Sequence, residues 1–386
     1  MREVVIVGAA ETKFGKSELS YRELAAQAGR EAMADAGASP EQIEAFFLGT
    51  FSPGTFIRQE HAAPLIASEL GLRNVPSTRT ENACASGSTA FLNAIFAIAA
   101  GAADVVLVVG AEKMTATPTS EVTSILAEAA DWEQESKVGL TFPGAYALMA
   151  RAYFDRYGKT RDILDAVAIK NHRNAMGNPY AQFHKEIGPE DIARSAMVAD
   201  PLTLYDCSPI SDGAAALVLA AADVAGQFRR PGVRVLGFGQ ASDSLALHHH
   251  ADLTTLPAAR KAAERAYRMA GVSPEDISLA EVHDCFTIAE IIATEDLGFF
   301  KPGEGGDAAK AGATARDGRI PVNPSGGLKA KGHPVGATGV SQIAEATFQL
   351  RGEAGDRQVD GAELALTHNV GGSGATCVVT ILGRPE

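Results

Sequence analysis

Two segments of this chain place a thiol or an imidazole where little side-chain bulk stands in the way of a substrate. In "ENACASGSTA", Glu81 to Ala90, Cys84 follows the strand-like "VPSTRT" and heads an alanine-rich helical pattern that stops at Gly101. A sulfur at a helix N-terminus faces unpaired N–H groups and the positive end of the dipole, which favour thiolate over thiol. Its small neighbours leave room for an acyl chain and for a backbone N–H oxyanion site. The competing reading is a cysteine that fills a tight helix–sheet contact. In "NPSGGLKAKGHPVGATGVSQIAE", Asn323 to Glu345, a glycine-rich loop presents His333 ahead of a second helix, and Pro334 keeps the backbone out of the helical region there. His333 is therefore a candidate to accept the Cys84 proton, and Ser325 and Gly326 of the same loop are candidate substrate contacts.

A third segment, "EVHDCF", carries two potential proton carriers, His283 and Cys285, one residue apart after an apolar strand pattern, so on extended backbone they share a side. A Cys/His metal site is the rival reading, and it lacks a second ligand pair at finger-like spacing. In "LTHNVGGSGATCVVTIL" a glycine-rich turn between two strands brings His368, Asn369 and the backbone of Gly371 and Gly372 toward the same place. Cys377 and Cys207 read as packing residues, and the His248–His250 triplet as a solvated loop with no metal assigned.

These residues need a frame, and an internal repeat supplies one. "REAMADAGASPEQIEAFFLGT" from Arg30 and "ERAYRMAGVSPEDISLAEVHD" from Glu264 both read as a helix end, a glycine stop, a Ser-Pro-Glu turn and a strand. "CASGSTA" from Cys84 aligns with "HPVGATG" from His333, and "GAAALVL" from Gly213 with "GATCVVT" from Gly374. Each half then runs strand, helix, strand, helix, strand. That alternation predicts an α/β fold with a mixed, mostly parallel sheet in each half, layered α/β/α/β/α, with Cys84 and His333 at equivalent helix starts near the pseudo-symmetric centre. About a hundred residues between "DVVLVVGAE" and "AAALVLA" have no counterpart in the second half. The expected organisation is an N-terminal half over 1–114 completed by 211–230, an inserted loop domain over 115–210 covering the site, and a C-terminal half over 231–386.

Composition narrows the functions further. Lys+Arg 34 against Asp+Glu 47 leaves a net charge of −13 with no run of like charges, which argues against broad nucleic-acid or anionic-membrane binding. Four cysteines without CxxC spacing read as free thiols, and "MREVVIVGAA" has a strand pattern with no signal-peptide h-region, so the expectation is a cytoplasmic protein.

Taken together, "ENACASGSTA", "HDCF", "NPSGGLKAKGHPVGATG" and "HNVGGSGAT" resemble the thiolase superfamily over essentially the whole chain, and within it the sterol-carrier-protein-type branch. The resemblance implies a five-layered thiolase fold, a homodimer or homotetramer, and a covalent acyl group on Cys84. His333 would activate that thiol and later help bind a thioester oxygen, with backbone N–H groups of Cys84 and of the glycine turn after Asn369 facing the acyl carbonyl. Coenzyme A thioesters are the implied substrates, with no separate cofactor and no metal. Better-known thiolases carry Asn-Glu-Ala-Phe where this chain has His283-Asp284-Cys285-Phe286, and Cys-x-Gly where it has His368-Asn369-Val370. Cys285 then stands in as the acid/base, and His283 as an oxyanion or enolate donor. The implied activity is an acetyl-CoA C-acyltransferase of lipid metabolism that makes or cleaves 3-ketoacyl-CoA such as acetoacetyl-CoA by a ping-pong route. Alternatives are a retro-aldolase or acyltransferase on a bulky acyl-CoA or polyketide-like acceptor, and a non-catalytic lipid-binding or scaffold subunit. Implied partners are a small zinc-ribbon/OB-fold protein and a hydroxymethylglutaryl-CoA synthase.

Overall fold

The two copies of the repeat fold alike. In the computed structural model, which describes residues 2–385, the helices Tyr21–Ala36 and Pro257–Ala270 both end on a left-handed glycine, Gly37 at φ 71° and Gly271 at φ 70°. Glycine takes that conformation without a Cβ clash, which frees the chain to turn back toward the sheet. Each glycine is followed by a Ser-Pro 3-10 turn and then by a strand.

The strands are β1 (Val4–Glu11), β2 (Ala45–Gly49), β3 (Ser77–Thr80), β4 (Val105–Glu112), β5 (Met197–Ala199), β6 (Leu202–Thr203), β7 (Gly213–Ala221), β8 (Val233–Ser242), β9 (Leu279–Glu281), β10 (Leu364–Gly371) and β11 (Thr376–Gly383). Apart from the β5–β6 pair they form one sheet in the order β3-β2-β4-β7-β1-β8-β11-β10-β9. Reading outward from the β1–β8 seam, β7, β4, β2 and β3 are matched by β11, β10, β9 and a single parallel bridge from Ala280 to Val322. The third strand of the second half is thus reduced to a bridge.

The expected mostly parallel sheet is corrected by the pairing. Among the described strand pairs of this sheet, β2–β3, β2–β4 and β9–β10 are parallel, whereas β4–β7, β1–β7, β1–β8, β8–β11 and β10–β11 are antiparallel. The last strand of each half runs antiparallel to both of its neighbours, and β10 reaches β11 through a short hairpin turn that needs no helical crossover.

The layering follows from which faces are apolar. Tyr21–Ala36 covers β1, β4 and β7 from outside, and Pro257–Ala270 covers β8 and β11. Between the two half-sheets lie the helices Ser86–Ala99 and Thr338–Arg351, in contact with each other. Every residue from Thr338 to Leu350 is buried, because this helix touches strands of both halves. The two central helices approach closely at their starts: a Cβ on Gly87 would lie 2.8 Å from the Gly336 carbonyl oxygen. The segment between β4 and β7 adds the helices Thr119–Ala127, Phe142–Tyr157 and Asp162–Ala175 above this centre.

Candidate active site

Cys84 sits on a tight turn rather than inside its helix, which begins at Ser86. Ala83 before it has φ 48°, an uncommon value for a residue with a Cβ. Ser86 closes the turn: its Oγ accepts from the Asn82 N–H at 2.8 Å and donates to the Ala83 carbonyl at 2.6 Å. The sulfur faces a cavity of about 400 Å³ that Cys285, His333 and Gly372 also line. No Asp, Glu, Lys or Arg is among the lining residues, which suits an uncharged tail and leaves reactivity to thiols and imidazoles. Cys84 Sγ and one ring nitrogen each of His283 and His333 lie within 4.8 Å of one another.

Hydrogen bonds assign the tautomers of the three buried histidines. Thr338 Oγ1 donates to the Pro334 carbonyl at 3.0 Å, so in its 2.7 Å contact with His333 Nδ1 it must accept. His333 therefore carries its proton on Nδ1 and keeps a lone pair on Nε2. Asn369 Nδ2 donates to the Cys84 carbonyl at 3.0 Å and meets His283 Nδ1 at 3.1 Å, which makes that nitrogen an acceptor and puts the proton on Nε2. The His283 backbone N–H points at His368 Nδ1 at 3.4 Å, so His368 also holds its proton on Nε2. Among the described residues His283 Nε2 has no hydrogen-bond partner, so its N–H is an uncommitted buried donor on a ring that reaches Cys84. Such a donor suits an oxyanion; a metal ion would require that proton to leave.

Electrostatics corrects one expectation. Burial pushes the Cys84 thiol up to about 12, outweighing the Gly372 and Cys84 backbone N–H groups that act in the opposite direction. The resting site thus holds a neutral thiol, and the helix start does not by itself supply a thiolate. Burial likewise drives His333 and His368 down to about 3 and holds His283 well below an ordinary histidine. A neutral thiol beside a neutral imidazole lone pair can still transfer a proton during attack. Cys285 is also raised, by burial and then by Cys84, and pulled back by the Tyr146 hydroxyl and the Phe286 N–H.

Of the residues expected from sequence, Cys84, Cys285, His333 and Gly372 line the cavity, His283 reaches Cys84 from the side, and Asn369 ties Cys84 to His283. His368, Gly371, Ser325 and Gly326 do not line this cavity and stand behind it. His368 stands behind His283, and a Cβ on Gly371 would lie 2.7 Å from the Asn82 carbonyl. Ser325 Oγ is committed to Glu281 at 2.6 Å, and Gly326, at φ 100°, packs on Ala175. Their loop is held by Asp284, which accepts from the Leu328 and Lys329 N–H groups and so fixes the residue between His283 and Cys285. Cys207, expected only to pack, lines the cavity, whereas Cys377 is fully buried in β11. His248, read as solvated, bonds Glu135 at 3.0 Å.

Sequence reasoning missed Tyr146, Thr338 and Ser211. Ser211 Oγ accepts the His333 N–H at 3.0 Å and so fixes the histidine backbone. A histidine-proline flanked by an extended loop was the available signal that something must hold it; nothing local marks the partner, which lies 122 residues away.

Comparison with known proteins agrees with this frame. The family profile "Thiolase, N-terminal domain" matches residues 4–223 and "Thiolase C-terminal domain-like" matches residues 239–384. An acetyl-CoA acetyltransferase of Methanothermobacter thermautotrophicus is 50% identical over 385 residues, covering 100% of each chain. Sterol carrier protein 2 of Homo sapiens is 34% identical over 413 residues, with 100% of this chain and 73% of that protein covered. Among solved structures, the Ltp2-ChsH2(DUF35) aldolase superposes with a TM-score of 0.86 at 26% identity over 99% of this chain and 98% of the other.

Proposed function

The chain belongs to the thiolase family, and from that premise we propose that it is an acetyl-CoA C-acyltransferase that forms or cleaves 3-ketoacyl-CoA such as acetoacetyl-CoA. The observation that carries the reading is a thiol and two neutral imidazoles, each with one ring nitrogen within 4.8 Å of the others, where Cys84 and His333 line an apolar cavity.

In the first half-reaction Cys84 attacks the thioester carbonyl while His333 Nε2 takes its proton. In this reading the Gly372 N–H, which faces the Cys84 sulfur, and the uncommitted His283 Nε2–H stabilise the negative charge that develops on the thioester oxygen. The C–S bond to coenzyme A breaks, and Cys285–SH protonates the departing thiolate, leaving acyl-Cys84, a protonated His333 and a Cys285 thiolate. In the second half-reaction that thiolate removes the α-proton of a second acyl-CoA, the carbanion attacks acyl-Cys84, and His333 returns its proton to the released sulfur. Every proton taken is returned, and no cofactor enters beyond the coenzyme A thioesters.

Intact-mass spectrometry after mixing with acetyl-CoA tests this. An acetyl adduct that disappears in Cys84→Ala and is released by free coenzyme A is the expected result; no adduct in the wild-type protein refutes the acetyl-transfer reading. The likeness to the Ltp2-ChsH2(DUF35) aldolase supports a second reading, retro-aldol cleavage of a bulky acyl-CoA. It predicts cleavage of a 3-hydroxyacyl-CoA with no acetyl adduct. The DUF35 component in that name supports a DUF35-type partner protein; a small zinc-ribbon/OB-fold protein and a hydroxymethylglutaryl-CoA synthase are the partners that the family resemblance implies. Among the described residues no helix is long and apolar enough to cross a membrane. The reading extends to a homodimer or homotetramer working in cytoplasmic lipid metabolism.

A further inference from the structure

Tyr146 belongs to the segment inserted between β4 and β7, in the helix Phe142–Tyr157, and is 1% exposed. Its ring stacks on Phe286, the neighbour of Cys285, with centroids 4.6 Å apart and planes at 27°. Its hydroxyl donates to the Gly372 carbonyl at 3.1 Å, and the Cys285 thiol, next in sequence to the ring that Tyr146 stacks on, opens into the same cavity. Tyr146 and Cys285 line the same cavity.

One hydroxyl has one proton and two lone pairs. While Cys285 is a thiol, the Tyr146 O–H serves Gly372 and leaves its lone pairs open to an S–H. Once Cys285 is a thiolate, the sulfur becomes the stronger acceptor, since hydrogen bonds to ionised groups are about twice as strong as neutral ones. We infer that Tyr146 is a positioning residue for proton transfer at Cys285, its hydroxyl rotating from the Gly372 carbonyl to the sulfur whenever that sulfur is charged. The inference rests on reading Cys285 as the proton carrier of the proposed reaction. A phenylalanine would fill the same stack, so packing alone does not explain the hydroxyl. Burial raises the tyrosine itself far above its ordinary value, which keeps it a hydrogen-bond donor and never a proton source. The arrangement links three elements: the inserted segment carries the donor, the loop after β9 carries the thiol, and the turn after β10 carries both the second acceptor and an N–H facing Cys84.

The test separates Tyr146 from the reaction. In a Cys84→Ala background, alkylation of Cys285 by iodoacetamide is followed by peptide mass at pH 9, where the rate reports the thiolate fraction. Tyr146→Phe is expected to slow it about tenfold or more, and Tyr146→Gln, which keeps an N–H donor, to recover part of the loss. A Phe variant that reacts as fast as or faster than its parent, or a Gln variant as slow as Phe, overturns the inference. These arms hold even if wild-type protein forms no acetyl adduct. With Cys84 intact, α-deuterium exchange of acetyl-CoA should fall at least tenfold more than Cys84 acetylation does. Equal losses in both would mark Tyr146 as structural and overturn its role at Cys285.

Discussion

Replacing Thr338 by valine tests the tautomer assignment on which proton removal from Cys84 depends. The two side chains have nearly the same shape, so the change removes the acceptor for His333 and one donor to the Pro334 carbonyl, which keeps the N–H groups of Ala337 and Thr338. In the native site Thr338 Oγ1 accepts a hydrogen bond from His333 Nδ1–H at 2.7 Å and donates one to the Pro334 carbonyl at 3.0 Å. Valine leaves that N–H buried and unpaired, a loss of about 1–3 kcal/mol. The imidazole escapes the loss by moving its proton to Nε2, where it faces the cavity, and in that form it has no lone pair for the Cys84 proton. If the whole cost appears as depletion of the working tautomer, the acetylation rate falls about 5- to 150-fold. Rapid-quench mass spectrometry of the acetyl adduct reads the rate directly, and saturation with acetyl-CoA separates it from binding. A folded Thr338→Val protein that acetylates within about twofold of wild type would refute the assignment.

Because His333 is held at about 3 by burial, the acetylation rate should show no acid limb near 6.5; a half-drop at that pH would mean an exposed, ordinary histidine. Burial raises Glu112 from 4.5 to about 7, so its contribution is fully present below 4.5 and is lost as pH rises through 7, about 3 kcal/mol in all. Glu112→Gln, with the contacts to Thr50, Phe51 and Gly336 kept, should therefore flatten the fall of Tm between pH 5 and 8 relative to wild type; parallel curves would contradict it. Gly87→Ala would set a Cβ 2.8 Å from the Gly336 carbonyl and 2.9 Å from the Val340 nitrogen, both backbone, and should cost about 1–3 kcal/mol in urea unfolding; an unchanged midpoint would show that the central helices can part.

What the chain discloses before it folds depends on how local each cause is. Cys84 and His333 were legible because glycines, small residues and a helix start surround each of them in sequence, and because the internal repeat makes them equivalent. The helix-glycine-Ser-Pro turns were legible for the same reason, each being a contiguous signal. The direction of β7 and β11 was hidden, since strand alternation says nothing of how a half closes on its first strand. The protonation state of Cys84 was hidden too: a helix start is visible in sequence, but burial under the inserted segment is tertiary and decides the balance. Ser325 and Gly326 looked like ligand contacts because glycine-rich loops permit close approach, yet what approaches here is Glu281 and Ala175. Tyr146 occupies an ordinary amphipathic helix, and its partners Cys285 and Gly372 lie far along the chain.

The helix Thr338–Arg351 has no solvent face until its last residue, and it draws its neighbours from both half-sheets. Neither half therefore owns a complete core. The repeat suggests two ancestral modules, but they share this helix, so hydrogen exchange along it is expected to require both halves to open together. Since His333 stands just ahead of that helix and Cys84 just ahead of its counterpart, loosening of either half is felt at the reacting atoms before any surface element need unravel.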